Sequence, residues 1–325
     1  MASILTESAR CAIPSLKSAG PFAKVAPAAA SLPMTTQGRI LQTLLTLIGR
    51  LPLRLNRALG ALFGWLFLLL PNRTRNVARR NLELCFQDSG EQQALLRANM
   101  FNTGRGFMEL AWFWTRPREQ VLKLVNQVHG LEHLTAGVES GNGVLLAAPH
   151  LGAWELLCQF LSTQGHCTFL YREPKDSGIE EVVTRGRERL GADLVQAGGR
   201  GVRELFRALK KGNIVGILPD QQPKRGQGEF SPFFGIPALT MVLFSKMASK
   251  TDAPLVFAFA RRLPGTQGFD IHFIPGDETI RDKDLATSVA ALNAQVEACV
   301  RMAPEQYQWG YKRFSIRPEG EEKLY

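Results

Sequence analysis

The sequence predicts an α/β protein, a mixed central sheet flanked by helices, with a helical membrane-anchor region at its N-terminal side. Two observations carry this. From residue 144 onward, short apolar runs of strand length alternate with segments of helical periodicity. Upstream, residues 40–70 form a strongly apolar stretch bordered by arginine.

The chain divides accordingly into residues 1–37, 38–71 and 72–325. The first segment, rich in Ala, Ser and Pro, reads as a disordered or mis-called extension with Met34 as the start. Its composition also fits a transit peptide. In the second, Arg50, Arg54 and Arg57 interrupt the apolar run, leaving only 58–71 (ALGALFGWLFLLLP) unbroken. That is short of the ~18 apolar residues a spanning helix needs. A monotopic or marginally spanning anchor is expected, and a buried core helix is the alternative. Arginine at both ends gives no orientation.

In the third segment, residues 72–114 are helical, opened by Pro71 and Asn72 and divided at Gly90. Strands are expected at 144–148 (VLLAA), 167–171 (CTFLY), 214–218 (IVGIL), 254–260 (PLVFAFA) and 269–274 (FDIHFI), the last alternating as a half-exposed strand does. Helices are expected at 153–163, 178–190, 202–211, 239–250 and 285–302. Residues 198–201 (GGRG) are read as a turn before a helix, since they do not match a dinucleotide-binding fingerprint.

The formal net charge is +10, with 45% hydrophobic and 21% charged residues among 325. This excludes global disorder and favours acidic partners: nucleic acid, anionic lipid or an acidic carrier protein. Nucleic acid is disfavoured because no basic-aromatic stacking motif is present. Five scattered cysteines without Cys-x-x-Cys argue against a disulfide framework and a zinc knuckle, and fit a reducing compartment.

In sheets of this kind reactive groups collect beyond the C-terminal ends of strands. Three polar clusters fall there: His150 in Ala-Pro-His, Arg172 in Leu-Tyr-Arg, and Asp220 in Leu-Pro-Asp-Gln-Gln. His150 and Glu155 are five residues apart. On one regular helix they would lie about 140° apart. A loop bending at Gly152 would instead bring Glu155, in the first helical turn, to one imidazole nitrogen. That fixes the tautomer and leaves the other nitrogen as a base. A buried histidine beside a solvated glutamate is the bland alternative. No metal site is expected, because His-Glu-x-x-His is absent. A serine hydrolase is disfavoured by the absence of Gly-x-Ser-x-Gly.

With these residues in view, the chain resembles the late acyltransferases of lipid A synthesis. These are the lauroyl and myristoyl transferases of Gram-negative bacteria, within the broader lysophospholipid acyltransferase superfamily. The resemblance rests on Asn72-Arg73 through Asn81-Leu82, Ala148-Pro149-His150 to Glu155, Tyr171-Arg172, Arg185-Gly186-Arg187 and Leu218-Pro219-Asp220-Gln221. It continues through Phe233-Phe234-Gly235, Pro237 to Thr240, Pro304 to Trp309 and Arg313-Phe314. It implies a glycerolipid acyltransferase-like fold. It also implies transfer of an acyl chain from acyl carrier protein or acyl-CoA, with no further cofactor, to a hydroxyl of a lipid A precursor at the cytoplasmic face of the bacterial inner membrane.

By the same resemblance His150 is the base, Glu155 orients it, and Arg172, Arg187 and Asp220 bind substrate. Arg187 would hold a phosphate group or steady the thioester oxyanion, with a surface arginine as its bland reading. Asp220 reads equally as a structural turn residue. Some relatives carry a second acid where Gln222 stands, so no second carboxylate role carries over. A lysophospholipid or aminolipid acceptor, or a non-catalytic lipid-binding role, are the alternatives.

Overall fold

The computed structural model describes residues 35–87, 90–171 and 192–325. The N-terminal segment before Thr35, and the helix expected at 178–190, lie outside these. A helical layer comes first. Helix α1 (Thr36–Arg50) is followed across Leu51 and Pro52 by α2 (Leu53–Leu69), then α3 (Arg73–Cys85) and α4 (Gln92–Thr115). Asn72 caps α3 by accepting from the Arg75 amide at 2.8 Å. The Gly90 break separates α3 from α4 as the sequence predicts.

Helices α1 and α2 lie backbone against backbone on α4. A Cβ at Gly60 would come 2.5 Å from the Arg105 Cα, and one at Gly64 equally close to the Phe101 Cα. The glycines of the apolar run therefore make the contact. Its bulky members Leu62, Phe63, Trp65, Leu69 and Leu70 point outward and are exposed, as are Ile40, Leu44 and Leu47 of α1. A buried core helix would hide them, so that alternative is excluded. Among the described residues no single helix is long and apolar enough to cross a membrane. α2 and α3 meet the length and composition test only as a pair bent by 77°.

After α5 (Arg118–Leu122) the sheet begins. Its strands are β1 (Val125–His129), β2 (Val144–Ala147), β3 (Cys167–Tyr171), β4 (Asp193–Gln196), β5 (Ile214–Ile217), β8 (Leu255–Arg262) and β9 (Phe269–Pro275), in the spatial order β1-β9-β8-β2-β5-β3-β4. Every neighbouring pair is parallel except β8 with β9, so the sheet is mixed. Strand β2 is fully buried on both faces. Leu145 and Ala147 pack on one side, while Val144 and Leu146 pack on the other. Helix α6 (Leu131–Glu139) precedes β2, and α7 (Trp154–Gln164) covers the Val144 face. Helices α8 (Gly199–Lys210), α9 (Leu243–Ala248) and α10 (Leu285–Met302) cover the Leu145 face.

Two expectations need correction. The helix expected at 239–250 is instead half strand. A hairpin pairs β6 (Gly228–Phe233) with β7 (Ile236–Met241), and only α9 remains helical. Its two-residue turn places both Phe234 and Gly235 at positive φ. Phe234 tolerates this because Glu297 accepts its amide at 2.6 Å and Arg301 lies over its ring. Helix α8 also starts at Gly199, so part of the glycine-rich turn is helical. Gly201 is required there, since a Cβ would meet the Gln196 carbonyl oxygen at 1.9 Å.

Candidate active site

The site lies beyond the C-terminal ends of the adjacent strands β2 and β5. Their onward connections run in opposite directions across the sheet, and strand ends so arranged are where open α/β sheets bind ligands. His150 follows β2 by three residues, and Asp220 follows β5 by three.

Gly152 makes the loop possible. It adopts φ +66°, and a Cβ there would sit 2.0 Å from the Ala260 carbonyl oxygen. The loop is pinned on one side by Ala153, whose amide donates to Ala260 O at 2.8 Å. On the other side the Gly152 amide donates to Gln306 O, and the Gln308 amide donates to His150 O, both at 3.1 Å.

Asp220 grips His150 twice. One carboxylate oxygen lies 2.8 Å from the ring Nδ1 and the other accepts the His150 backbone amide at 2.8 Å. Burial alone would raise the Asp220 carboxyl, but the His150 charge and these hydrogen bonds outweigh it and hold it below the usual carboxylate range. The contact with Asp220 fixes a proton on Nδ1, so in the neutral ring the lone pair lies on Nε2. Facing Nε2 is the Gln221 amide nitrogen, at 3.1 Å. The Tyr307 hydroxyl has its pKa pushed well up by burial and then by the neighbouring Asp220 carboxylate.

The position at Nδ1 that the sequence suggests for Glu155 thus belongs to Asp220. Glu155 is nevertheless in the site. It sits in the first turn of α7, almost wholly buried at 2% exposure, which excludes the solvated-glutamate reading. It lines with His150 and Trp154 a cavity of about 170 Å³. Leu110 and Phe113 of α4 give that cavity an apolar wall, and the exposed Phe107 stands at its rim. Arg172 and Arg187 lie outside the described residues. Among the described residues no group of three or more His, Cys, Asp or Glu is placed to hold a metal ion.

Two features of the site lie beyond the sequence reading. The first is a buried charge cluster on the cavity wall. Glu109 of α4, fully buried, accepts from Arg57 Nε at 2.7 Å and from Arg262 Nε and Nη2 at 2.8 and 2.6 Å. An inward-facing arginine in an apolar anchor helix gives no signal in sequence. The second is the strap at 304–315. Asn99 of α4 holds the Tyr307 carbonyl at 2.8 Å, and Asn81 of α3 holds those of Trp309 and Tyr311 at 2.7 and 2.8 Å. Tyr311 in turn accepts the Gln222 amide at 2.9 Å. Gln222 is therefore a structural contact of the Asp220 loop. The motif at 304–309 carries the only hint of this strap, and its role emerges only from the fold.

Comparison with known proteins adds the following. Residues 31–315 match the family model described as bacterial lipid A biosynthesis acyltransferase. The lipid A biosynthesis lauroyltransferase of Escherichia coli is 32% identical over 281 residues, covering 85% of this chain and 90% of the relative. The palmitoleoyltransferase of the same organism is 30% identical over 272 residues, covering 82% and 87%. A lipid A biosynthesis acyltransferase of Haemophilus influenzae is 29% identical over 280 residues, covering 83% and 87%.

Proposed function

The chain belongs to the bacterial lipid A biosynthesis acyltransferases, and from that premise we propose how it works. It moves a fatty acyl chain from the thioester of acyl carrier protein or acyl-CoA to a hydroxyl of a lipid A precursor. The observation that supports this most is His150, its Nδ1 committed to a buried carboxylate, beside a mostly apolar cavity.

In this reading the acceptor hydroxyl gives its proton to Nε2 as its oxygen attacks the thioester carbonyl. The C–S bond then breaks, and the imidazolium returns the proton to the departing thiolate. Asp220 holds the tautomer and stabilises the imidazolium. Glu155 lines the same cavity and, as a carboxylate, would stabilise the imidazolium. Arg172 and Arg187 bind substrate phosphate or the oxyanion. The apolar wall formed by Leu110 and Phe113 takes the hydrocarbon.

The exposed apolar faces of α1 and α2 lie in a bilayer interface, with the acyltransferase domain on the cytoplasmic side of the inner membrane. The net positive charge draws in an acidic carrier protein and a phosphorylated lipid. The test is to incubate detergent-solubilised protein with carrier-protein and coenzyme A thioesters of several chain lengths and a tetraacylated lipid A precursor. A product heavier by one acyl chain is expected by mass spectrometry. Acylation of lysophospholipid alone would overturn the acceptor assignment.

A further inference from the structure

A histidine base beside a thioester faces a competing reaction, because water can be deprotonated as readily as an alcohol. We propose that Gln221 caps the catalytic base when no acceptor is bound, and so suppresses hydrolysis of the acyl donor. This rests on the acyl-transfer reading above.

The position of the amide carries the inference. Nε2 of Gln221 lies 3.1 Å from Nε2 of His150, where the oxygen of an attacking hydroxyl or water must sit to give up its proton. In the neutral ring Nδ1 holds the proton for Asp220, so a donor faces the Nε2 lone pair, and the glutamine amide supplies one. Its nitrogen has two hydrogens. The second is directed to Gln308 Oε1, also 3.1 Å away. Gln308 is fixed in turn by its backbone amide on the His150 carbonyl. The cap therefore has two anchors, and its backbone adjoins Asp220, so one loop both orients the base and covers it.

Both anchors are neutral hydrogen bonds and Gln221 is only half-buried, so the cap is displaceable. An acceptor bound through its own chains and phosphates can drive that displacement, whereas a water molecule has no remote binding energy to spend on it. With the cap gone, water at Nε2 would attack the thioester carbonyl. The C–O bond forms, the C–S bond breaks, and the proton taken by Nε2 passes to the thiolate. The products are free fatty acid and free thiol.

The experiment follows fatty acid release by mass spectrometry from lauroyl- and myristoyl-coenzyme A and the matching carrier-protein thioesters, with the full chain and no acceptor. Gln221→Ala, and Gln221→Met, which keeps the volume without the amide, are expected to raise hydrolysis at least about tenfold, a part of the roughly 10²–10⁴ that a positioned base contributes. Gln308→Leu, removing one anchor, gives a smaller rise, and adding His150→Ala to Gln221→Ala abolishes the leak. A gain of hydrolysis is not an effect that mere loss of structure produces. Folded Gln221 variants that hydrolyse donor no faster than wild type would overturn the cap. If wild type transfers no acyl chain to any acceptor, the acyl-transfer reading itself fails, a separate outcome.

Discussion

Gly152 and Ala260 meet backbone to backbone, so closely that a Cβ on residue 152 would lie 2.0 Å from the Ala260 carbonyl oxygen. The contact joins the loop carrying His150 to the end of β8. Gly152→Ala must move one of them and also hold alanine at φ +66°, a conformation costing about 1–3 kcal/mol. The expected result is a folded protein with a lower thermal midpoint and a loss of kcat larger than the stability loss accounts for. Measuring both on one preparation checks this, and an unchanged kcat would contradict it.

Asp220→Asn keeps the shape but lets the amide face Nδ1 in either sense, so the tautomer is no longer fixed. A loss of kcat of about 10³–10⁴-fold is expected, in line with orienting carboxylates elsewhere. The substitution also tests linkage. The folded Asp220 carboxyl is held below its ordinary value of 3.8, so its stabilisation is complete above that pH and is lost as pH falls through the depressed folded value. The variant should therefore lose less stability than wild type in acid below about pH 4, read from denaturation midpoints.

His272 gives a second pH dependence, away from the site. It is stacked between Phe259 and His129, at 4.9 and 4.6 Å between ring centroids. Burial, then the neighbouring His129, lowers it from 6.5 to about 4. Between those values the unfolded chain binds the proton and the folded chain does not, so stability falls as pH drops from 6.5 toward 4. His272→Phe should flatten the curve in that window. An unaltered slope would show that other groups set it.

The fold was legible where burial is two-sided or amphipathic periodicity is strong. Strand β3 and helix α10 occupy the predicted residues, and β2 and β5 differ by one residue. The hairpin of β6 and β7 was not legible. Its turn uses a phenylalanine at positive φ, held by Glu297 from α10, 63 positions away, and no local pattern encodes that. His150 and Asp220 were both legible as strand-end residues. Their pairing was not, because β2 and β5 become neighbours only through the strand order, whereas the nearby Glu155 is conspicuous in sequence. Arg57 looked like an interruption of an apolar helix, and only the fold reveals the fully buried Glu109 that receives it.

That pairing yields a prediction about stability. Glu109→Gln removes the one carboxylate between Arg57 and Arg262, leaving two buried guanidiniums without their partner. Such a change costs about 3–5 kcal/mol, measurable by urea denaturation. A cost below 1 kcal/mol would mean that water reaches the cluster freely.

The outward side chains of α2 should govern lipid attachment. Trp65→Ala and Leu69→Ala each remove apolar area worth about 1.5–3 kcal/mol when buried, so each should weaken partitioning to anionic vesicles about tenfold or more. Vesicle sedimentation reads this directly, and binding indifferent to both changes would place the lipid contact elsewhere.

The central claim is that Nε2 of His150 takes the proton from the acceptor. The most direct measurement is the initial rate of acyl transfer by His150→Ala beside wild type, at saturating donor and acceptor, with the fold of both verified by thermal melting. A folded variant slowed by about 10³-fold or more is predicted, within the range of a base that is removed outright. A folded variant transferring at the wild-type rate would contradict the mechanism.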